Sequence, residues 1–175
     1  MRVSVDGFVA DREGNSSRLY PDLSDLRENP VVQEAIENTG SVILGRRSYD
    51  LAKGDLTRYE FQVPIFVLTH HPPEEAPKGQ NDQLSVTFVE DSIENMVERA
   101  KGVAGERDVV VIGTDVTQQA LRAGVVDEIG VGIVPVILGE GVRFLEHLGP
   151  DPVELERTRV TETAADTDIR FRVKG

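Results

Sequence analysis

The chain has 175 residues, no cysteine, three histidines and a formal net charge of −12. This length fits one domain, residues 1–175, whose core buries roughly two thirds of the unfolded surface. The composition excludes disulfides and thiolate metal sites, and the acidic balance argues against nucleic acid and anionic membranes as partners. A histidine metal cluster is not expected. No window reaches the run of about 18 apolar residues that a membrane helix needs, so we expect a cytoplasmic protein.

Lysine is scarce in this chain and supplies only four of the nineteen basic residues. Abundant carboxylate with little lysine is one way to stay hydrated in strong salt, which would indicate a halophilic source. A GC-rich genome that favours arginine codons explains the same composition, and both explanations stay open.

The amino-terminal part predicts a strand, a polar loop and a helix. The strand, Arg2–Ala10, is interrupted at Asp6-Gly7, a pair suited to a bend or bulge. Pro30 follows Asn29, a suitable cap, so a helix is expected to begin there. We expect Gly40 to end that helix.

Apolar strands then alternate with helices. The predicted strands are Ser41–Leu44, Val63–Thr69, Ser85–Val89 and Val109–Ile112. The fourth is β-branched throughout, which is typical of a strand buried on both faces, so we expect it to be central in a mainly parallel sheet. Helices are predicted from Arg46 to Ala52 and, after a cap at Asp91 or Ser92, from Ile93 to Ala104.

A tight turn follows the fourth strand. Gly113 breaks the strand, Asp115 is expected to cap a new helix, and Gly124 is expected to close that helix in the left-handed conformation. At the carboxyl edge of an open α/β sheet, the amide groups of such a turn suit a phosphate or pyrophosphate. An ordinary strand-to-helix turn is the alternative.

The carboxyl-terminal third predicts an antiparallel end to the sheet. Val125–Leu138 is strand-like with Pro135 at a bulge or edge, and Val153–Val160 and Ile169–Val173 alternate as a closing pair. The whole pattern predicts an α/β fold with a mainly parallel central sheet, helices on both of its faces and an antiparallel carboxyl-terminal end.

Five segments together carry a family resemblance. They are SVDGFVAD from Ser4, VILGRRSYD from Val42, VPIFVLTHHPPE from Val63, the stretch from Asp108, and LRAGVVDEIGVGIVPVILGEGVRF from Leu121. In this order they resemble the dihydrofolate reductase-like family, specifically stand-alone proteins similar to the carboxyl-terminal reductase domain of bifunctional riboflavin-biosynthesis deaminase-reductases. The resemblance covers nearly the whole chain. It implies a dihydrofolate reductase-like fold, an NADPH cofactor across the carboxyl ends of the strands, a small-molecule substrate and a homodimer.

By motif, the resemblance implies that three turns meet the cofactor. Their residues are Gly45, Arg46, Arg47 and Ser48; Leu68, Thr69 and His70, with His71 beside them; and Ile112, Gly113, Thr114, Asp115 and Val116. The first turn would meet the phosphates and the adenosine side, the second the adenine ribose with its 2′-phosphate, and the third the pyrophosphate.

The residues of the first two turns also support this placement on physical grounds. Arg46 and Arg47 follow a glycine at a helix start, where amide and guanidinium groups share an anion well; the alternative is a pair of solvated arginines. His70 and His71 offer imidazole cations, and the alternative is two exposed histidines ahead of a proline loop.

Two departures from the family pattern bear on activity. Ile112-Gly113 stands where the family commonly has two glycines, and a β-branched residue there is expected to narrow the approach of the cofactor. Only three residues precede Ser4, where family members usually carry several strand residues, so two expectations stay open: a short first strand, or a true start that lies upstream.

The sequence favours an NADPH-dependent reductase of a small heterocyclic or carbonyl substrate. Dihydrofolate is less expected because the chain has no tryptophan and no match to the substrate helix of true dihydrofolate reductases. The riboflavin-pathway intermediate is a second option, although this chain has Asp6-Gly7-Phe8 where those reductases resemble DGK. A noncatalytic nucleotide-binding or regulatory protein is the alternative class.

No catalytic residue is identified. Carboxylates in the segment Asp22–Glu34 are candidate proton donors by position alone, and a solvated loop is the alternative role for each. A homodimer is also expected on physical grounds, because an antiparallel end strand that bears Ile169, Phe171 and Val173 would leave an apolar edge to cover.

Overall fold

The computed structural model describes residues 1–21 and 23–174, without the side chains of residues 23–25. The chain divides into two compact units. The parallel unit is Glu34–Val125, and the mixed unit combines Met1–Gln33 with Val126–Gly175. The single domain over residues 1–175 stays a prediction.

Ten strands and four α-helices are assigned in the described part of the chain. The strands are β1 (Arg2–Ser4), β2 (Phe8–Ala10), β3 (Thr39–Gly45), β4 (Ile65–Leu68), β5 (Val86–Val89), β6 (Asp108–Ile112), β7 (Glu128–Val134), β8 (Val142–Arg143), β9 (Leu155–Glu162) and β10 (Thr167–Val173). The helices are α1 (Pro30–Asn38), α2 (Arg46–Leu51), α3 (Ile93–Ala104) and α4 (Thr114–Arg122). Two short 3-10 helices, Ser17–Leu19 and Leu23–Glu28, interrupt the segment predicted to be a polar loop.

The parallel unit contains a four-stranded sheet in the order β5-β4-β3-β6, with every neighbouring pair parallel. The predicted parallel sheet is therefore confirmed. Within this sheet β3, not β6, is the strand buried along its whole length, and β6 ends the strand order. The prediction that β6 is central was wrong in this sheet. The hydroxyls of Thr39 and Ser41, two polar residues buried in β3, donate to the carbonyls of Ala35 and Ala100.

Alternate residues of β3 face opposite sides of its sheet. Val42 and Leu44 join a buried core cluster with Tyr49, Leu56, Phe61, Ile65, Val67 and Leu84. On the other side, Ser41 contacts α3 through the carbonyl of Ala100. Helical residues thus cover both faces of the sheet, as predicted.

Gly40 does not end α1 as predicted but lies inside β3. A Cβ atom at this position would lie 2.6 Å from the carbonyl oxygen of Ala104. Glycine is therefore required here for the close approach of β3 to the end of α3.

Helix starts follow the predicted capping chemistry in two cases. The side chain of Asn29 accepts a hydrogen bond from the amide of Val31 at 2.9 Å, at the start of α1. Ser92 caps α3 by accepting from the amide of Asn95 at 3.2 Å.

The prediction for the cap of α4 was wrong. Gly113 occupies the cap position with φ of 122° and supplies no side-chain hydrogen bond to the helix. Asp115 lies in the first turn instead, where its carboxylate accepts a hydrogen bond from the side chain of Gln119 at 2.7 Å. Gly124 follows the helix at φ 67°, which confirms the predicted left-handed residue.

The mixed unit contains a sheet in the order β1-β7-β10-β9 and a separate pair, β2 with β8. β1 pairs with β7 in parallel, whereas β10 is antiparallel to both β7 and β9. The predicted antiparallel end is confirmed. However, β10, which carries Ile169, Phe171 and Val173, lies inside the sheet, so β9 is the edge strand at this end.

The predicted interruption at Asp6-Gly7 separates β1 from β2, and Gly7 has φ of 85°. The Asp6 carboxylate accepts hydrogen bonds from the amides of Leu138 and Gly139 at 3.1 and 2.7 Å. This carboxylate therefore ties the bend to the segment that follows β7.

A buried ion pair lies in the mixed unit. Arg2 Nε is 2.6 Å from Asp166 Oδ2, and the two side chains are 7% and 6% exposed. Thr163 also donates from its hydroxyl to Asp166 at 2.5 Å. Among the helices of the described residues, none has both the length and the apolar character to cross a membrane.

Candidate functional site

The three turns predicted to meet a cofactor follow three strands of one parallel sheet. In the strand register, Gly45 lies opposite Leu68, and Leu44 lies opposite Ile112. Because parallel strands present their carboxyl ends at the same edge, the structure brings the three turns together. Binding of a ligand by these residues stays a prediction.

The first and third turns approach each other through two glycines. A Cβ atom at Gly113 would lie 3.0 Å from Ser48 Oγ and 3.3 Å from the amide nitrogen of Gly45. Gly45 in turn is the cap residue of α2, and like Gly113 it provides no side-chain hydrogen bond to its helix. The starts of α2 and α4 therefore lie side by side, and the glycine that precedes each helix offers no side chain to its first-turn amide groups.

Ile112, the departure from the family pattern, packs toward the interior of the parallel unit. Together with Val110 it lies against the core cluster, and it is partly buried. A side chain in this position contributes to the core.

The two arginines of the first turn, Arg46 and Arg47, differ in their surroundings. Arg46 Nε donates to Asp50 at 2.8 Å, and its guanidinium also donates to the carbonyl oxygen of His71. Arg46 therefore links α2 to the second turn. Arg47 is exposed and makes no ion pair within residues 1–21 and 23–174. Of the two, Arg47 has the guanidinium that is available to an anion.

The second turn is fixed by hydrogen bonds to its neighbours. The amide of Thr69 donates to the carbonyl of Val89 at 3.0 Å, and the Thr69 hydroxyl accepts from the amide of His71 at 3.1 Å. His70 Nδ1 lies 3.1 Å from Glu90 Oε1. The sequence analysis missed Glu90, although its position directly after a predicted strand was a usable signal.

A cavity of about 390 Å³ adjoins this region at the end of α2. Its lining includes Tyr49, Lys53, Pro73 and Lys78. Burial raises the pKa of the Tyr49 phenol above its ordinary value. The sequence analysis did not single out these lysines, because nothing in their local pattern places them together.

The predicted proton donors are only partly described. Asp22 lies outside the described residues, and the side chain of Asp25 is likewise not described. Glu28 is exposed and Glu34 is partly buried. Within the described residues, no group of three or more histidine or carboxylate side chains is arranged to hold a metal ion.

Residues 1–169 match the family model described as the RibD C-terminal domain. The chain belongs to the RibD C-terminal domain family. An uncharacterized protein of Bacillus subtilis (strain 168), YwjB, is 24% identical over 147 residues, which are 83% of this chain and 80% of that protein.

Solved structures show the same fold. A putative riboflavin biosynthesis protein from Shewanella sp. PV-4 matches with a TM-score of 0.76 and 21% identity, over 100% of this chain and 97% of that one. Dihydrofolate reductase from Enterococcus faecalis, complexed with NADP(H), matches with a TM-score of 0.60 and 15% identity, over 99% and 94% of the two chains. The dihydrofolate reductase-like fold is therefore confirmed, and the family and fold are those of reductases.

Proposed function

We propose that this protein is an NADPH-dependent reductase of a small heterocyclic or carbonyl compound. The observation that carries the proposal is the pair of adjacent glycine-capped helix starts at the carboxyl edge of the parallel sheet. Gly113 leaves a space that a Cβ atom would fill against Ser48 and Gly45. This cradle fits a pyrophosphate, because backbone amides approach an anion most closely where no side chain intervenes.

Each turn has a role in this proposal. The amides at Thr114 and Asp115 would hold the pyrophosphate, and Ser48 would offer its hydroxyl from the neighbouring helix. Arg47 would supply positive charge, while Arg46 positions the second turn through its bond to the His71 carbonyl. NADPH would supply the hydride, and the proton that completes a C=N or C=O reduction would come from solvent or a carboxyl group.

Cofactor binding tests this proposal directly. We expect NADPH at a hundredfold excess over its Kd to add about 2.7 kcal/mol and to raise Tm by roughly 5 to 10 °C. Arg47→Ala should reduce this shift more for NADPH than for NADH, and Arg122→Ala, at the far end of α4, is the matched control. Equal shifts with both cofactors would refute the preference for NADPH. No shift with either would favour a noncatalytic protein.

The first substrate to test is 5-amino-6-(5-phosphoribosylamino)uracil, because the family is that of a riboflavin-pathway reductase domain. The rate of NADPH consumption would be measured with this compound, with the same compound lacking its phosphate, and with dihydrofolate. The compound that is reduced fastest would assign the substrate class. Turnover of dihydrofolate alone would contradict a riboflavin-pathway substrate.

The absence of cysteine supports our further proposal that the protein acts in the cytoplasm.

We also propose a homodimer that covers the edge of β9. This strand exposes Leu155 at 36% and Val160 at 49%, and an uncovered strand edge invites pairing with a second chain. Light scattering should give the dimer mass, and Val160→Asp should lower it. Val103→Asp, at a residue 50% exposed in α3, is the control. A wild-type mass equal to the monomer across a range of salt would contradict the dimer.

A further inference from the structure

A carboxylate lies beside the second turn. β4 and β5 are parallel neighbours, with Leu68 opposite Val89, so the residues that follow them emerge at the same edge. Glu90 comes directly after β5, and its Oε1 is 3.1 Å from His70 Nδ1. Both side chains are largely exposed, at 69% and 75%.

The neighbouring carboxylate has a different task. Asp91 accepts hydrogen bonds from the amide of Ser92 and the side chain of Asn95, both at 2.7 Å. These bonds fix Asp91 at the start of α3 and lower its pKa, mainly through Asn95. Glu90 is therefore the carboxylate of this pair that faces the histidine.

We propose that Glu90 is a specificity-determining residue that weakens the binding of an adenosine 2′-phosphate at the second turn. The inference rests on the proposed function and on the family resemblance, which implies that this turn meets the adenine ribose. A 2′-phosphate at His70 would meet an imidazole whose Nδ1 already lies against Glu90, and it would bring further negative charge beside an existing carboxylate. NADH lacks this phosphate and escapes both effects.

Glu90 should therefore lower the ratio of NADPH affinity to NADH affinity below the value that the cations of the site alone would give. Because His70 and Glu90 are exposed, solvent and salt screen their charges, and the effect of Glu90 should be modest. The same exposure makes the test clean, because replacing Glu90 removes no packing from the core.

The experiment compares the affinities of wild type and Glu90→Gln for NADPH, NADH and 2′,5′-ADP, measured by calorimetry. Glutamine keeps the size of the side chain and removes its charge. We expect the variant to bind NADPH and 2′,5′-ADP about two- to fivefold more tightly, with the NADH affinity unchanged. High salt should reduce the difference.

Glu106→Gln is the matched control. Glu106 is exposed and precedes β6, so it lies at the amino edge of the sheet. The length of β6, roughly 17 Å, separates it from the turns at the carboxyl edge. This distance exceeds the screening length of about 8 Å at physiological salt. The control should leave the affinities for all three ligands unchanged.

A double-mutant cycle with His70→Gln separates the pair from general charge. If Glu90 acts through His70, the gain from Glu90→Gln should shrink when His70 is already replaced. Equal gains for NADPH and NADH, or the same gain in Glu106→Gln, would overturn the inference and leave the proposed function intact. Failure of wild type and of every variant to bind either cofactor would overturn both.

Discussion

The parallel unit gathers the turns that follow its strands at one edge of the sheet, whereas the mixed unit distributes its strand ends over opposite edges. In the parallel unit, strands that all run in one direction gather their carboxyl-terminal turns at one edge, so that segments as distant as Gly45 and Gly113 come into contact. In the mixed unit, β10 runs against both of its neighbours, so consecutive strand ends lie at opposite edges. The direction of the strands therefore explains why the candidate site is built in the parallel unit.

The mixed unit instead holds a small group of charged side chains in its interior, namely Arg2, Asp166 and Asp168. Arg2 and Asp166 form a buried pair, and Gly132 makes room for it, because a Cβ atom there would lie 2.6 Å from Asp166 Oδ2. Asp168 is 9% exposed, and its Oδ1 has no hydrogen-bond partner among the described residues. Burial raises the pKa of this carboxyl above its ordinary value. These groups specify packing, whereas the cations of the parallel unit remain accessible to a ligand.

The strongest test of this contrast is Asp166→Ala. This change removes the ion pair of the buried Arg2 guanidinium, so we expect a loss of about 4 kcal/mol in the free energy of unfolding. Urea unfolding measures the loss, with Asp151→Ala in an exposed loop as the control. A loss below about 1 kcal/mol, typical of a surface pair, would mean that the interior of the mixed unit tolerates the loss of this ion pair.

A second substitution tests whether the edge of the parallel unit is already open. Ile112→Gly removes a side chain that packs against the core cluster, and we expect it to cost about 3 kcal/mol through cavity and backbone-entropy effects. Because the side chain faces the core, NADPH affinity should not rise. Both quantities are measured on the same sample. A tenfold gain in affinity would instead show that Ile112 narrows the turn.

The third test concerns the contact between the two helix starts. Gly113→Ala places a Cβ atom on a residue with φ of 122° and against Ser48 and Gly45, so we expect a loss of about 2 kcal/mol and weaker NADPH binding. Gly102→Ala is the opposite case, because this glycine lies in α3 with open space around it. That substitution should stabilise the chain by about 0.5–1 kcal/mol. Equal effects in melting experiments would refute a special role for Gly113.

Much of the architecture could be predicted because it depends on local patterns. Capping chemistry alone narrowed the start of α3 to Asp91 or Ser92 and identified Gly124, and the order of strands and helices followed from apolar periodicity. The failures depend on contacts distant in sequence. Gly40 resembles a helix end until Ala104 is seen to fill the space of its Cβ atom.

The candidate site divides in the same way. Its three turns were predicted because each follows a strand in a recognisable segment. The engagement of Arg46 by Asp50 and His71, and the pairing of His70 with Glu90, depend on side-chain positions that no local pattern encodes.

The smallest expected effect concerns Asp6, a carboxylate of the mixed unit that supports a turn rather than an ion pair. Hydrogen bonds from the Ser4 hydroxyl and from the amides of Gly139 and Leu138 lower its pKa from 3.8 to about 2. Because the folded-state pKa is depressed, this stabilisation is fully present above the ordinary pKa and is lost as the pH falls toward about 2. As the pH falls from 3.8 to about 2, the Tm of wild type should therefore decrease more steeply than the Tm of Asp6→Asn. Asparagine keeps an acceptor for one amide but does not titrate. Asp82→Asn, in an exposed loop of the parallel unit, controls for the change in net charge. Parallel Tm curves for wild type and Asp6→Asn would show that the turn at Asp6-Gly7 does not depend on an ionised carboxylate.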